Sequence, residues 1–230
     1  VRRVGEDGCV GSVMAAALEK MATEESSVEV RSQLAATARR LSVGVALRIV
    51  AALTKHEADV DDVHVPLLIW WAIEAHAQER EAILELFSAA DFWDRAIVKE
   101  HLAARTLRRY AQAGTRQDLL TCAALLGLAP TVEHRHRLVV SLDEAFRGRA
   151  LAGLPRELLE ALAAAGGGSM ELRVRRGDET AVADVLKTIA DEEADLERRE
   201  RFVRLLGEVE TVGAVPVLLG LSLIHISEPT

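Results

Sequence analysis

An apolar anchor recurs along this chain every 30 to 36 residues, and that period constrains the fold more than any other feature. The unit is clearest at 28–41, VEVRSQLAATARRL, where a small or β-branched residue precedes a polar or basic one and an apolar anchor follows three positions on. Aligned this way, the anchors are Leu34, Ile69, Leu102, Leu138, Leu172 and Phe202. Three positions before them stand Arg31, Pro66, Lys99, Arg135, Ser169 and Arg199, a basic residue in four of the six. An apolar-rich chain supplies anchors by chance, but not at this spacing with a matching basic position. A second set of segments lies between them at 45–55, 78–87, 117–126, 155–164, 181–190 and 214–220, with an extra one at 12–21. Each carries apolar residues at the 3.6-residue period of an amphipathic helix.

Two helices per unit follow. A lone pair cannot bury its apolar stripe, so neighbours must stack and share one elongated core. The expected fold is an all-α solenoid, a right-handed superhelix of antiparallel helix pairs, with about six units forming one array over 1–220. Ser12, Asp91 and Thr115 are expected helix N-caps, and Pro155 is expected in a first helical turn, where its missing N–H costs nothing. The run Gly166-Gly167-Gly168-Ser169 is the one linker-like stretch. Because the period continues across it, a long loop or a kink is expected there, not a domain boundary.

Composition agrees with helix and narrows the chemistry. Half of the residues are hydrophobic but only 3% are aromatic, so core volume must come from Leu, Val, Ile and Ala. The formal charge of −8 argues against a general grip on nucleic acid, since an acidic surface repels a phosphate backbone. Arg105, Arg108 and Arg109 come nearest to a basic stripe, and otherwise read as a solvated helix face. Cys9 and Cys122 form no CxxC or CxxCH motif, which excludes a metal ribbon or covalent haem attachment within this chain. No apolar run reaches the roughly 18 to 20 residues of a membrane span.

Both ends look interrupted. The opening VRRVGEDG resembles VRLLGEVE at 203–210, the close of a first helix and its turn, so the parent protein is expected to extend upstream. At the other end, LSLIHISEPT at 221–230 breaks the Leu/Val pattern and reads residue for residue as a translated sequencing-library adapter; Ser222 onward is expected to be non-native.

Several strings resemble the HEAT-repeat region of large bacterial proteins of the PVC-type haem-binding and membrane-bound dehydrogenase families. They are 28–41 (VEVRSQLAATARRL), 65–75 (VPLLIWWAIEA), 117–129 (QDLLTCAALLGLA), 144–154 (EAFRGRALAGL) and the GGGS at 166–169. The resemblance implies a HEAT-like solenoid between a β-propeller dehydrogenase module and a c-type cytochrome module, in a periplasmic or cell-envelope protein. Haem c would belong to those flanking modules, because the family's CxxCH motif does not occur here.

Individual candidates are few. His134 and His136 make an HxH on a helix, but residues two apart point to different faces, so solvent-facing positions are expected. His56, His64, His76 and His101 are scattered without metal-ligand spacing. Adjacent Trp70 and Trp71 differ by about 100° around a helix, so one is expected in the core and the other at a surface. Phe92 and Trp93 stand where a hydrophobic staple would fasten a helix start. The run Asp191-Glu192-Glu193-Ala194-Asp195 lacks the glycine of a calcium loop and reads as a solvated acidic turn before a helix. The expectation is a non-catalytic scaffold or protein-interaction segment, without catalytic, cofactor-binding or metal residues, meeting protein and neither nucleic acid nor membrane. Its candidate interaction surface is Trp71, Trp93, Arg105, Arg108 and Arg109. The alternative is a HEAT-like enzyme of lyase or nucleic-acid-repair type, which would need clustered acid/base residues or a basic aromatic groove.

Overall fold

The structure, a computed structural model, describes residues 11–148, 154–209, 215 and 219. The interrupted ends read from the sequence, 1–8 and 221–230, and most of the 214–220 segment lie outside the described residues. All regular structure among the described residues is helical. In chain order the α-helices are α1 (Ser12–Glu24), α2 (Val28–Ala38), α3 (Val43–Leu53), α4 (Val65–Ala75), α5 (Arg80–Leu86), α6 (Ala90–Asp94) and α7 (Ala103–Ala113). They continue as α8 (Arg116–Leu128), α9 (Val132–Phe146), α10 (Arg156–Ala164), α11 (Met170–Arg175), α12 (Glu179–Ala190) and α13 (Leu196–Glu208). A 3-10 turn, Glu57–Asp61, precedes α4, and a π-helical segment, Val98–Leu102, leads into α7.

Local chemistry accounts for where the helices begin. Ser27, Thr115, Thr131, Ser169, Asp178 and Asp195 each accept a backbone N–H from three residues on, capping α2, α8, α9, α11, α12 and α13. Two expected caps are corrected. Ser12 is the first residue of α1, behind Gly11, and makes no capping bond. Asp91 lies inside α6 and pairs with Arg95 instead. Pro155 is one position earlier than expected, at the N-cap of α10, while Pro66 occupies the first turn of α4. Gly114 closes α7 in the left-handed region at φ 67°, its N–H bonded to the Tyr110 carbonyl.

Helices pack on the next but one along the chain, except around the short α6, where the partners are three apart. On one side α1 meets α3, α3 meets α5, α5 meets α8 and α8 meets α10. On the other α2 meets α4, α4 meets α7, α7 meets α9, α9 meets α11 and α11 meets α13. Cross contacts between α2 and α3 and between α7 and α8 join the two sets, and α12 packs on α11 and α13. All six anchors are buried, none more than 5% exposed. Each such apolar side chain contributes about 1.5–3 kcal/mol by leaving water.

The basic position before the anchor has a job that the packing makes visible. Arg31 Nη1 donates to the Glu25 carbonyl at the end of α1 (2.9 Å), Arg135 Nη1 to the Ala129 carbonyl at the end of α8 (3.4 Å), and Arg199 Nε to the Ile189 carbonyl in the last turn of α12 (3.1 Å). The last carbonyls of a helix lack intrahelical partners and carry its negative dipole end, so a cation from the next helix satisfies both. Lys99 makes no such bond; it falls in the π-helical segment, where the extra residue shifts the register.

Two buried clusters fill the interior. The larger runs from Ala22 to Leu172, and the smaller gathers Val174, Ala181, Val185, Ile189, Phe202, Leu205 and Leu206. They divide within α11, directly after the glycine triplet, whose three residues all have positive φ (96°, 85° and 83°). Across this division Arg175, 5% exposed at its side chain, bonds Asp143 of α9 and Glu208 of α13.

Candidate interaction surface

The adjacent tryptophans of α4 part as helical geometry requires. Trp70 packs against the large cluster, while Trp71 is 42% exposed. Leu67, one turn earlier on the same face, is 36% exposed. Beside Trp71 opens a hollow of about 430 Å³ lined by Ala36, Arg39, Arg40, Leu68 and Trp71. Ala36 comes from α2, and Arg39 and Arg40 from the turn that ends it. A small residue on α2 opposite a large one on α4 leaves this space, since the two helices pack directly against each other. Arg39 and Arg40 are both exposed and have no ion-pair or side-chain hydrogen-bond partner among the described residues. Cations at a helix C-terminus are favoured by the dipole, which explains their local placement without any binding role. Neither arginine, nor Leu68, stood out in the sequence; a basic pair just past the 28–38 helix was the only signal.

The structure does not gather the other candidates at this hollow. Arg109 Nε bonds Glu74 Oε1 (3.2 Å), tying α7 to α4 one turn beyond Trp71. Arg108 Nη2 bonds Glu144 Oε2 (2.6 Å) and Ser141 Oγ (3.4 Å), tying α7 to α9. These two arginines are therefore spent between stacked helices, not presented as a basic stripe. Arg105 is half-buried and has no ion-pair partner among the described residues.

Trp93 does not belong to any surface. It is 1% exposed, its Nε1–H donates to the Phe87 carbonyl (2.8 Å), and its ring meets Phe87 edge-on at 5.1 Å. The short α6 folds Phe92 and Trp93 inward together. His134 is likewise corrected from solvent-facing to 5% exposed: Trp93 packs against its ring at 5.7 Å, and Nδ1 lies 2.9 Å from Thr131 Oγ1. A helix-face argument for His134 failed because α6, which covers it, has no periodic signature of its own. His136 is exposed.

Of the remaining histidines, two are tied to the backbone, while His64 is exposed and His76 Nε2 is buried without a hydrogen-bond partner among the described residues. His56 Nε2 donates to the Ala22 carbonyl and His101 Nε2 to the Val60 carbonyl, each at 2.8 Å. Among the described residues no group of three His, Cys, Asp or Glu converges enough to hold a metal ion. Cys122 is wholly buried, and that burial pushes its thiol well above the usual range, which suits packing and not nucleophilic chemistry. Tyr110 is pushed up to about 12, again by burial, and its hydroxyl donates to the Ala77 carbonyl (2.9 Å). The acidic run lies as expected at an exposed turn, with Asp195 capping α13. No helix among the described residues is long and apolar enough to cross a membrane. No family model, curated protein or solved structure matches this chain.

Proposed function

We propose that this chain is a HEAT-like α-solenoid segment of about six helix pairs that serves as a non-catalytic scaffold, binding or spacing other protein modules. The observation that carries the reading is the like-on-like stacking of alternate helices, with a basic residue of one helix closing the end of the helix before it at three separate joints. Such an array exposes long helical faces, and its buried ionisable groups serve as joints. The resemblance to the HEAT region of PVC-type haem-binding and membrane-bound dehydrogenase proteins supports a parent in which flanking modules carry the chemistry and any haem.

Small-angle X-ray scattering tests the architecture. A compact domain of this length has a radius of gyration of about 17 Å. The solenoid should exceed that, at about 20 Å or more, with an asymmetric distance distribution. A symmetric distribution at the compact value would overturn the reading.

A further inference from the structure

We propose that the hollow between α2 and α4 is a peptide-docking site, and that its occupant is an acidic protein segment carrying one large apolar side chain. The inference rests on the scaffold reading and adds the partner's chemistry to it.

Three observations converge there. The hollow, at about 430 Å³, is roomy enough for a leucine or phenylalanine side chain and is floored by Ala36, Leu68 and the exposed face of Trp71. Leu67 continues the apolar ridge one turn along α4. Exposed tryptophan beside aliphatic surface is the residue type that most often supplies binding energy at protein interfaces, because one rigid side chain desolvates a large area.

The rim then selects the partner's charge. Arg39 and Arg40 stand at the edge of the hollow, and no described residue pairs with their guanidinium groups. Their neighbours behave differently: Arg31, Arg48, Arg108 and Arg109 are each paired with a carboxylate. In a chain of net charge −8, two adjacent free arginines beside an apolar hollow form a local positive field against a negative background. Carboxylates match the planar donor fork of arginine in two-point geometry. A segment with Asp or Glu flanking a Phe, Leu or Trp would place its apolar side chain on Trp71 and its carboxylates on the two arginines. Nucleic acid also offers anions and stacking faces, but the charge of the whole chain repels a polyanion beyond the short reach of this rim.

The test pans a phage-displayed library of random peptides against the full chain. Enriched peptides are then measured by fluorescence anisotropy against Arg39→Glu/Arg40→Glu, Trp71→Ala and a control, Arg156→Glu/Arg204→Glu. The control makes the same charge change at exposed positions elsewhere. The enriched sequences should share a large apolar residue flanked by Asp or Glu. The rim variant should weaken them about tenfold or more, Trp71→Ala about thirtyfold, and the control less than about twofold. Circular dichroism confirms that each variant is folded. The proposal is overturned if no peptide is enriched, if the enriched peptides are neutral or basic, or if they bind the rim variant as well as the control. It is also overturned if oligothymidylate binds more tightly than the peptides and the rim variant abolishes that binding. Scattering on the same samples separates the two readings: a solenoidal profile without acidic-peptide binding removes the docking site and leaves the scaffold standing.

Discussion

Arg31 of α2 and Asp59 of the 3-10 turn, 28 residues apart in sequence, form a two-point ion pair whose side chains are only 8% and 3% exposed. The bonded carboxylate holds the arginine above its ordinary pKa. Arg31 also donates to the end of α1. One side chain thus ties α2 to the end of α1 and to the 3-10 turn that follows α3, at the residue that the repeat pattern marks as basic.

Breaking that pair should be costly. Asp59→Ala leaves a buried guanidinium without its anion, and the expected loss is about 3–5 kcal/mol in urea unfolding. Replacing both partners by apolar residues, as Arg31→Met/Asp59→Leu, should recover most of it, because desolvating an ion pair costs nearly what the pair returns. Recovery should stop short of complete, since the Glu25 carbonyl loses its donor. A double variant no more stable than Asp59→Ala alone would contradict this account.

The two surface-candidate tryptophans should behave oppositely. Trp93→Phe removes the bond to the Phe87 carbonyl and opens space beside Phe87 and His134, for an expected loss of about 1–3 kcal/mol. Trp71→Phe, at a position 42% exposed, should change stability by about 0.5 kcal/mol or less. Chemical unfolding of both variants decides the matter, and equal losses would put Trp71 in the core.

At the junction of the two buried clusters, the glycines are not equivalent. Gly168 has φ 83°, and a Cβ there would meet Leu172 Cδ2 at 2.7 Å, while Gly167 has open space. Leu172 is itself fully buried and has little room to yield. Alanine at either position carries about 1–2 kcal/mol of backbone strain, and Gly168→Ala should add the displacement of Leu172. Thermal unfolding should rank Gly168→Ala clearly below Gly167→Ala.

Acid should loosen the smaller cluster through Asp178. Bonds from Arg173, the Ala181 N–H and Arg176 hold this carboxyl well below the usual carboxylate range. Its folded pKa is therefore lower than its unfolded one. The stability it contributes is complete above the unfolded value, near pH 4, and is lost as pH falls through the folded value. Wild type should exceed Asp178→Asn in stability at neutral pH, with the gap shrinking on acidification. A gap that widened in acid would reverse the assigned shift.

The anchors were legible because they follow from local periodicity. Leu34, Ile69, Leu102, Leu138, Leu172 and Phe202 sit at helical spacing, and all six are buried. Thr115 was legible as a cap because a hydroxyl three residues before a free N–H is a local event. Asp91 was not, because its guanidinium partner outcompeted capping. The short α6 carried no period of its own, so the inward turn of Trp93 and the burial of His134 against it stayed hidden.

Helical class, the spacing of the buried anchors and the basic position preceding them were determined by sequence alone, since each depends on residues within a few turns of one helix. Tertiary structure decided which candidates are surface and which are joints. Arg108, Arg109 and Arg31 meet carboxylates 36, 35 and 28 residues away, on other elements. Arg39 and Arg40 stand beside Trp71 without a partner because no acid among the described residues of a neighbouring helix pairs with them. A side chain's exposure is set by what packs over it, and in this chain the covering helix is a neighbour in space whose contact no local pattern records.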